Sequence, residues 1–225
     1  MKKNVAHIIT LTNLCVGFLS IIESCSFNFN LASYFIFTCC FLDVLDGFIA
    51  RILNSESEFG KQLDSFSDFI SFGVAPAILM YSFIAFEFNN YKLAHISLLI
   101  PICSSLRLVK YNLYNTSQET FSGLTTPVSA IVFSSIPLIH TYEKNIFIIN
   151  TIIQPITIVL LIIVISALLL APFQTFNLRI RTLLNDKRKM IFIFFSIYIL
   201  YIFNFTGLLV IVLTYIILSM IKVIH

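Results

Sequence analysis

Asp43, Asp46, Asp64 and Asp68 are four of only five aspartates in the chain and fall in one short window; the fifth is Asp186. Asp43 and Asp46 stand three residues apart and Asp64 and Asp68 four apart, so on helices each pair shares a face. The polar segment Asn54-Ser55-Glu56-Ser57-Glu58-Phe59 is short enough to turn two helices antiparallel and bring the four carboxylates to one point. Their surroundings are apolar, and uncompensated carboxylates there would repel one another and each lose roughly several kcal/mol of hydration. One or two divalent cations are the natural counter-charge. Oxygen ligands without His or Cys suit a hard ion, Mg²⁺ or Mn²⁺, better than Zn²⁺.

Within the window, Gly47 follows Asp46 directly and Ala50 lies about one turn on, small residues that would let a ligand approach the helix backbone. Arg51 has the geometry for bidentate pairing with a phosphate, and Gly60 opens the second half of the window. The full pattern, D-x2-D-G-x2-A-R-x8-G-x3-D-x3-D, resembles the signature of the CDP-alcohol phosphotransferase family, with every fixed position present. The resemblance implies an alcohol attacking the lipid-side phosphorus of CDP-diacylglycerol with release of CMP. It assigns Asp43, Asp46, Asp64 and Asp68 to Mg²⁺ or Mn²⁺, two ions in all, and makes Asp68 the general base as well. It gives Gly47, Ala50, Arg51 and Gly60 to the nucleotide and lipid phosphates. Homodimerisation is a further expectation from the family.

Hydrophobic residues make up 58% of the chain and charged residues 11%, with a mean hydropathy of +0.95. Those values exclude a soluble domain and predict an all-α, polytopic helix bundle in a membrane, one integral domain over residues 1–225. Apolar runs at 5–25, 31–53, 63–88, 92–113, 125–140, 146–171, 190–204 and 205–222 predict about eight transmembrane helices, a six-helix family core plus a C-terminal pair within 190–222. The last two runs are divided only by Asn204, and Pro155 bends the sixth or marks where its regular part begins.

Eight spans with a cytoplasmic N-terminus put twelve basic residues on the cytoplasmic side: Lys2, Lys3, Arg51, Lys61, Arg107, Lys110, Arg179, Arg181, Lys187, Arg188, Lys189 and Lys222. Lys92 and Lys144 alone fall outside, a split that follows the positive-inside rule and places both termini and the aspartates at the cytoplasmic face of a bacterial plasma membrane. The net charge of +3 is spread over loops, which argues against a nucleic-acid partner. Cys15, Cys25, Cys39, Cys40 and Cys103 lack C-x-x-C spacing and read as small packing residues. His7, His95, His140 and His225 read as interfacial polar residues.

Thr10, Asn13 and Gly17 recur at helical spacing in the first run, either as a packing seam or as part of a cavity lining. Arg107 and Lys110 lie three apart at the end of the fourth run and would face one side, either snorkelling to lipid headgroups or forming an anion pocket. These segments, with Gly73 and Pro76 after Asp68 and the loop Gly123-Leu124-Thr125-Thr126-Pro127, resemble the phosphatidylserine synthase branch, whose loop has Pro where Thr125 stands. That branch implies L-serine as the acceptor, with Arg107, Lys110 and Asn112 to bind it. Phosphatidylglycerophosphate and phosphatidylinositol-phosphate synthases are the family alternatives, although a phosphorylated acceptor calls for a denser basic set. A divalent-cation transporter is the alternative of another class; it would be expected to repeat the motif in a second half, and the sequence holds one copy.

Overall fold

A computed structural model describes residues 2–53, 57–114, 121–172, 174–175 and 187–220. The linker residues Asn54, Ser55 and Glu56, and Arg179, Arg181, Asp186 and Lys222, lie outside the described residues.

The fold is a helix bundle. Helix α1 (Lys2–Cys25) and α2 (Phe29–Ile52) form an antiparallel pair, closed at Phe27 by a left-handed residue (φ 62°). The next pass, α3 (Glu58–Asp68), begins where the Ser57 hydroxyl accepts the Gly60 N–H at 3.1 Å. It runs through a π-helical turn, Phe69–Val74, into α4 (Ala75–Glu87). The wide turn has a local cause. Pro76 has no N–H to give to the carbonyl one turn back and its ring would crowd that carbonyl, and the Ala75 N–H instead reaches five residues back to Ile70.

The fourth pass comprises α5 (Tyr91–Ala94), a 3₁₀ turn (His95–Leu98) and α6 (Leu99–Tyr114). The strand β1 (Phe121–Ser122) pairs antiparallel with β2 (Gln174–Thr175). Between β1 and α7 (Thr126–Tyr142), Gly123 has φ +81°, and a Cβ there would lie 2.7 Å from the Leu169 carbonyl oxygen, so neither the backbone nor the space admits a side chain. That close approach docks the loop onto the end of α9 (Pro155–Leu170), which follows α8 (Ile146–Ile152) and starts at the predicted proline.

The last helix, α10 (Lys187–Met220), is interrupted at Asn204, whose φ of 46° and ψ of −128° are not helical. Its arms fold back on each other. The rings of Phe192 and Tyr215 are 6.3 Å apart, whereas along one straight helix residues that far apart in sequence would be separated by about 34 Å. At the turn, the Thr206 hydroxyl donates to Glu143 at 2.7 Å; with the Asn145 N–H at 3.1 Å, it holds the Glu143 carboxyl below its usual range. The described residues are nearly all helical, an arrangement that fits the eight apolar runs. Among the described residues His7–Cys25, Glu58–Glu87 and Tyr91–Leu113 are long and apolar enough to cross a membrane, as is Met190–Ser219 over its whole length, which the kink at Asn204 divides into two shorter arms.

The element that positions the site is α1, wedged between α2 and the pass formed by α3 and α4. Its polar stripe is the seam. The Ser67 hydroxyl donates to the Thr10 carbonyl at 3.1 Å and the Ser71 hydroxyl to the Asn13 carbonyl at 3.2 Å, while the Ser20 hydroxyl reaches the Ala32 carbonyl of α2 at 2.9 Å. At Gly17 a Cβ would stand 2.5 Å from the Ser71 hydroxyl and 3.0 Å from its Cα, so the two helices meet backbone to backbone. Gly17→Ala is expected to destabilise the bundle by about 1–3 kcal/mol, read as a lower midpoint of thermal unfolding in detergent. An unchanged midpoint would mean that the seam is looser than these distances show.

Candidate metal centre

The two segments that carry the motif are α2 and α3. Helical spacing turns Asp43 and Asp46 inward from α2, and Asp64 and Asp68 inward from α3, where the apolar residues beside them face out: Val44, Phe48 and Phe66 are exposed. One carboxylate oxygen from each of Asp43, Asp64 and Asp68 lies within 4.8 Å of the others. Carboxylates this close repel one another unless a shared proton or a cation lies between them. Asp46 is buried, 6% exposed, and lies within electrostatic reach of Asp43, Asp64 and Asp68. The Thr10 hydroxyl of α1 hydrogen-bonds to it.

Three of these carboxylates keep an oxygen that is buried and has no hydrogen-bond partner: Oδ2 of Asp46, Oδ1 of Asp64 and Oδ1 of Asp68. Buried acceptors of this charge are costly without a partner. Unpartnered oxygens converging from two helices, with no nitrogen or sulfur ligand among the triad, fit a hard divalent cation.

The other motif residues are placed less simply. Arg51 is exposed and folds back over its own helix, its Nε donating to the Gly47 carbonyl at 2.7 Å. A Cβ on Gly47 would meet the Arg51 guanidinium at 3.3 Å, so the open flank of this glycine receives the arginine. At Gly60 the room a side chain would need is taken by the His7 ring, 2.8 Å from an ideal Cβ, and that ring meets Phe59 edge to face. Ala50 is half-buried.

Arg107 and Lys110, expected to face one side, part company. Arg107 is 8% exposed, donates from Nη1 to the Thr126 hydroxyl at 3.5 Å and keeps a buried Nε with no partner. It stands within electrostatic reach of Asp68, Tyr111 and Tyr215. Lys110 is exposed. Three residues span about 300° of helix, so a pair at that spacing shares a face only loosely. Asn112 donates from Nδ2 to the Ser65 hydroxyl at 2.9 Å, tying the end of α6 to the residue beside Asp64. Ser65 and Tyr215 were not legible as site residues, since neither carries a charge, and Thr126 stood out only as part of the loop that begins at Gly123.

The family model described as CDP-alcohol phosphatidyltransferase matches residues 3–223. The CDP-diacylglycerol–serine O-phosphatidyltransferase of Bacillus subtilis is 38% identical over 147 residues, 64% of this chain and 79% of the relative. The archaetidylserine synthase of Methanothermobacter thermautotrophicus is 37% identical over 139 residues, 61% of this chain and 59% of the relative. The CDP-diacylglycerol–serine O-phosphatidyltransferase of Helicobacter pylori is 32% identical over 124 residues, 55% of this chain and 52% of the relative. The matched region therefore spans little more than half the length of the last two.

The crowded carboxylates predict opposite effects of one substitution in two conditions. In a chelator, Asp43→Asn removes a repelling charge and is expected to raise the thermal midpoint. With Mn²⁺ the same variant is expected to lose most of the stabilisation that the ion gives the unsubstituted protein. A midpoint lowered in chelator, with the Mn²⁺ response intact, would contradict a site built on charge repulsion.

Proposed function

The chain belongs to the CDP-alcohol phosphatidyltransferase family, and on that premise we propose that it transfers the phosphatidyl group of CDP-diacylglycerol to the hydroxyl of L-serine, giving phosphatidylserine and CMP. The observation that carries the reading is the buried Arg107 set beside the Asp43, Asp64 and Asp68 triad, within electrostatic reach of Asp68. The printed names of the Bacillus subtilis and Helicobacter pylori relatives support serine as the acceptor.

In this reading Asp43, Asp46, Asp64 and Asp68 hold one or two ions of Mg²⁺ or Mn²⁺. Such ions neutralise the pyrophosphate and ease departure of the nucleotide. The chain's own groups do the rest. Arg51, free to swing away from Gly47 because it is exposed, clamps a phosphate of the lipid nucleotide and so uncovers Gly47 and Ala50 to it, and Gly60 admits the His7 ring at the edge of the same surface. Arg107 receives the serine carboxylate, and its unpartnered Nε is the donor such a ligand would satisfy. Asn112, through Ser65, steadies the wall of the pocket, and Lys110 at its rim draws in the anion.

Asp68 takes the proton of the serine hydroxyl as the new oxygen–phosphorus bond forms. The bond from that phosphorus to the CMP oxygen breaks, CMP departs as the anion, and Asp68 later returns its proton to solvent. A carboxylate beside a cation is a weak base, so the transfer falls late, when the hydroxyl has already lost much of its basicity to the forming bond.

The basic-residue split supports a cytoplasmic site, where CDP-diacylglycerol and serine are both present. A homodimer in the lipid bilayer is the expected assembly. Among the described residues Arg107 is the buried cation beside the aspartates, which suits a carboxylate better than the phosphate of glycerol 3-phosphate or inositol phosphate, which would call for more.

Purified protein with CDP-diacylglycerol and Mg²⁺ or Mn²⁺ is expected to release CMP when L-serine is added, and not with a phosphorylated alcohol. CMP release with glycerol 3-phosphate instead would overturn the acceptor. Arg107→Ala is expected to raise the serine KM about 10- to 100-fold, the worth of a lost charge-assisted hydrogen bond, with the CDP-diacylglycerol KM little changed. A rise confined to the lipid substrate would mean that Arg107 holds phosphate.

A further inference from the structure

Asn13 is fully buried, and neither Oδ1 nor Nδ2 of its carboxamide has a hydrogen-bond partner. A primary amide shut into an apolar bundle with both ends unpaired is retained at a cost, which a packing role does not require. Its backbone shows where it sits. The Asn13 carbonyl accepts the Ser71 hydroxyl at 3.2 Å and the Cys39 thiol at 3.5 Å, so the residue lies where α1, α2 and the π-turn meet. Cys39 is one turn before Asp43 on α2, and Ser71 is three residues past Asp68. Helical side chains tilt toward the N-terminus of their own helix, here toward Thr10 and its contact with Asp46. That tilt carries the carboxamide from the level of Cys39 and Ser71 toward that of Asp43 and Asp68. Among the groups there, Asp68 Oδ1 is likewise buried and unpartnered, an acceptor matching the amide's donor.

We propose that Asn13 is a positioning residue of the metal centre: its carboxamide, buried and unpartnered beneath the aspartates, holds the inward side of the Asp68 carboxylate once a divalent cation draws the cluster together. The seam of α1 thereby serves two ends. Thr10 fixes Asp46 from one turn of the helix, and Asn13 fixes Asp68 from the next. Donors that orient ligating carboxylates change metal affinity when removed, commonly by about 10- to 100-fold.

The test replaces Asn13 with leucine, of similar size and without polar atoms, and with serine, which keeps one donor in less volume. Mn²⁺ binding is read by the loss of free-ion signal in electron paramagnetic resonance, and thermal midpoints are taken in chelator. Asn13→Leu is expected to bind Mn²⁺ about 10- to 100-fold more weakly, with a midpoint in chelator that is unchanged or higher. Asn13→Ser is expected to fall between the two in affinity.

Unaltered Mn²⁺ affinity in Asn13→Leu, or a lowered midpoint with affinity intact, would overturn the proposal and leave a packing residue. If the leucine variant does not fold, unaltered affinity in Asn13→Ser overturns it equally. The inference rests on the metal reading of the cluster, and the two fail differently: an unsubstituted protein that binds no Mn²⁺ removes that reading, while retained binding in the variants removes the role of Asn13 alone.

Discussion

Mutual repulsion among carboxylates crowded into an apolar bundle is the constraint on which the rest of this molecule turns. Asp43, Asp64 and Asp68 bring oxygens within 4.8 Å of one another in a bundle whose remaining residues are mostly apolar. No hydrophobic packing compensates such a cluster directly, because the cost lies in charge and lost hydration. The fold therefore has to hold firmly the helices on which the aspartates are mounted. The Thr10, Asn13 and Gly17 seam joins α1 to the pass that carries Asp64 and Asp68, through hydroxyl-to-carbonyl bonds and a contact too close for a Cβ. A cation bound to that frame would have only the side chains of the two motif helices left to draw in.

The π-helical turn directly after Asp68 belongs to the same design. It spreads the backbone where Pro76 removes a donor, so the helix can continue as α4 with its carbonyls rearranged and not broken. The far side of the site is closed by α6, whose Arg107 is buried against Thr126 of α7, and by the returning arm of α10 that brings in Tyr215. At the opposite end of the bundle, Glu143 and Thr206 clasp the turn of that hairpin. The C-terminal pair, which in sequence offers only apolar bulk, is thus attached at both ends to elements that line or support the site.

Much of this was written legibly in the chain. Carboxylates are so costly in apolar surroundings that their spacing alone marks a site, and long apolar runs mark helices whatever their packing. Asn204 divides the last two passes because few residues adopt its left-handed conformation, and Pro155 begins α9 because a proline's missing N–H is harmless there. What could not be read depends on which side chains fill which spaces. Gly47 and Gly60 suggest open surface, yet Arg51 and His7 of the chain itself occupy their flanks. Arg107 and Lys110 have equal charge and a helical spacing, but only packing against α7 decides that one is buried and the other exposed. The choice between a packing seam and a cavity lining for Asn13 required its unpaired carboxamide to be seen.

The central claim is that the two motif helices build one divalent-cation site from aspartate oxygens. Crystals grown with Mn²⁺ and measured for anomalous scattering near the manganese edge test it most directly. The account predicts one or two strong peaks at about 2.1 Å, a coordination distance, from oxygens of Asp43, Asp64 and Asp68. Manganese bound elsewhere, with that triad empty at saturating ion, would contradict it.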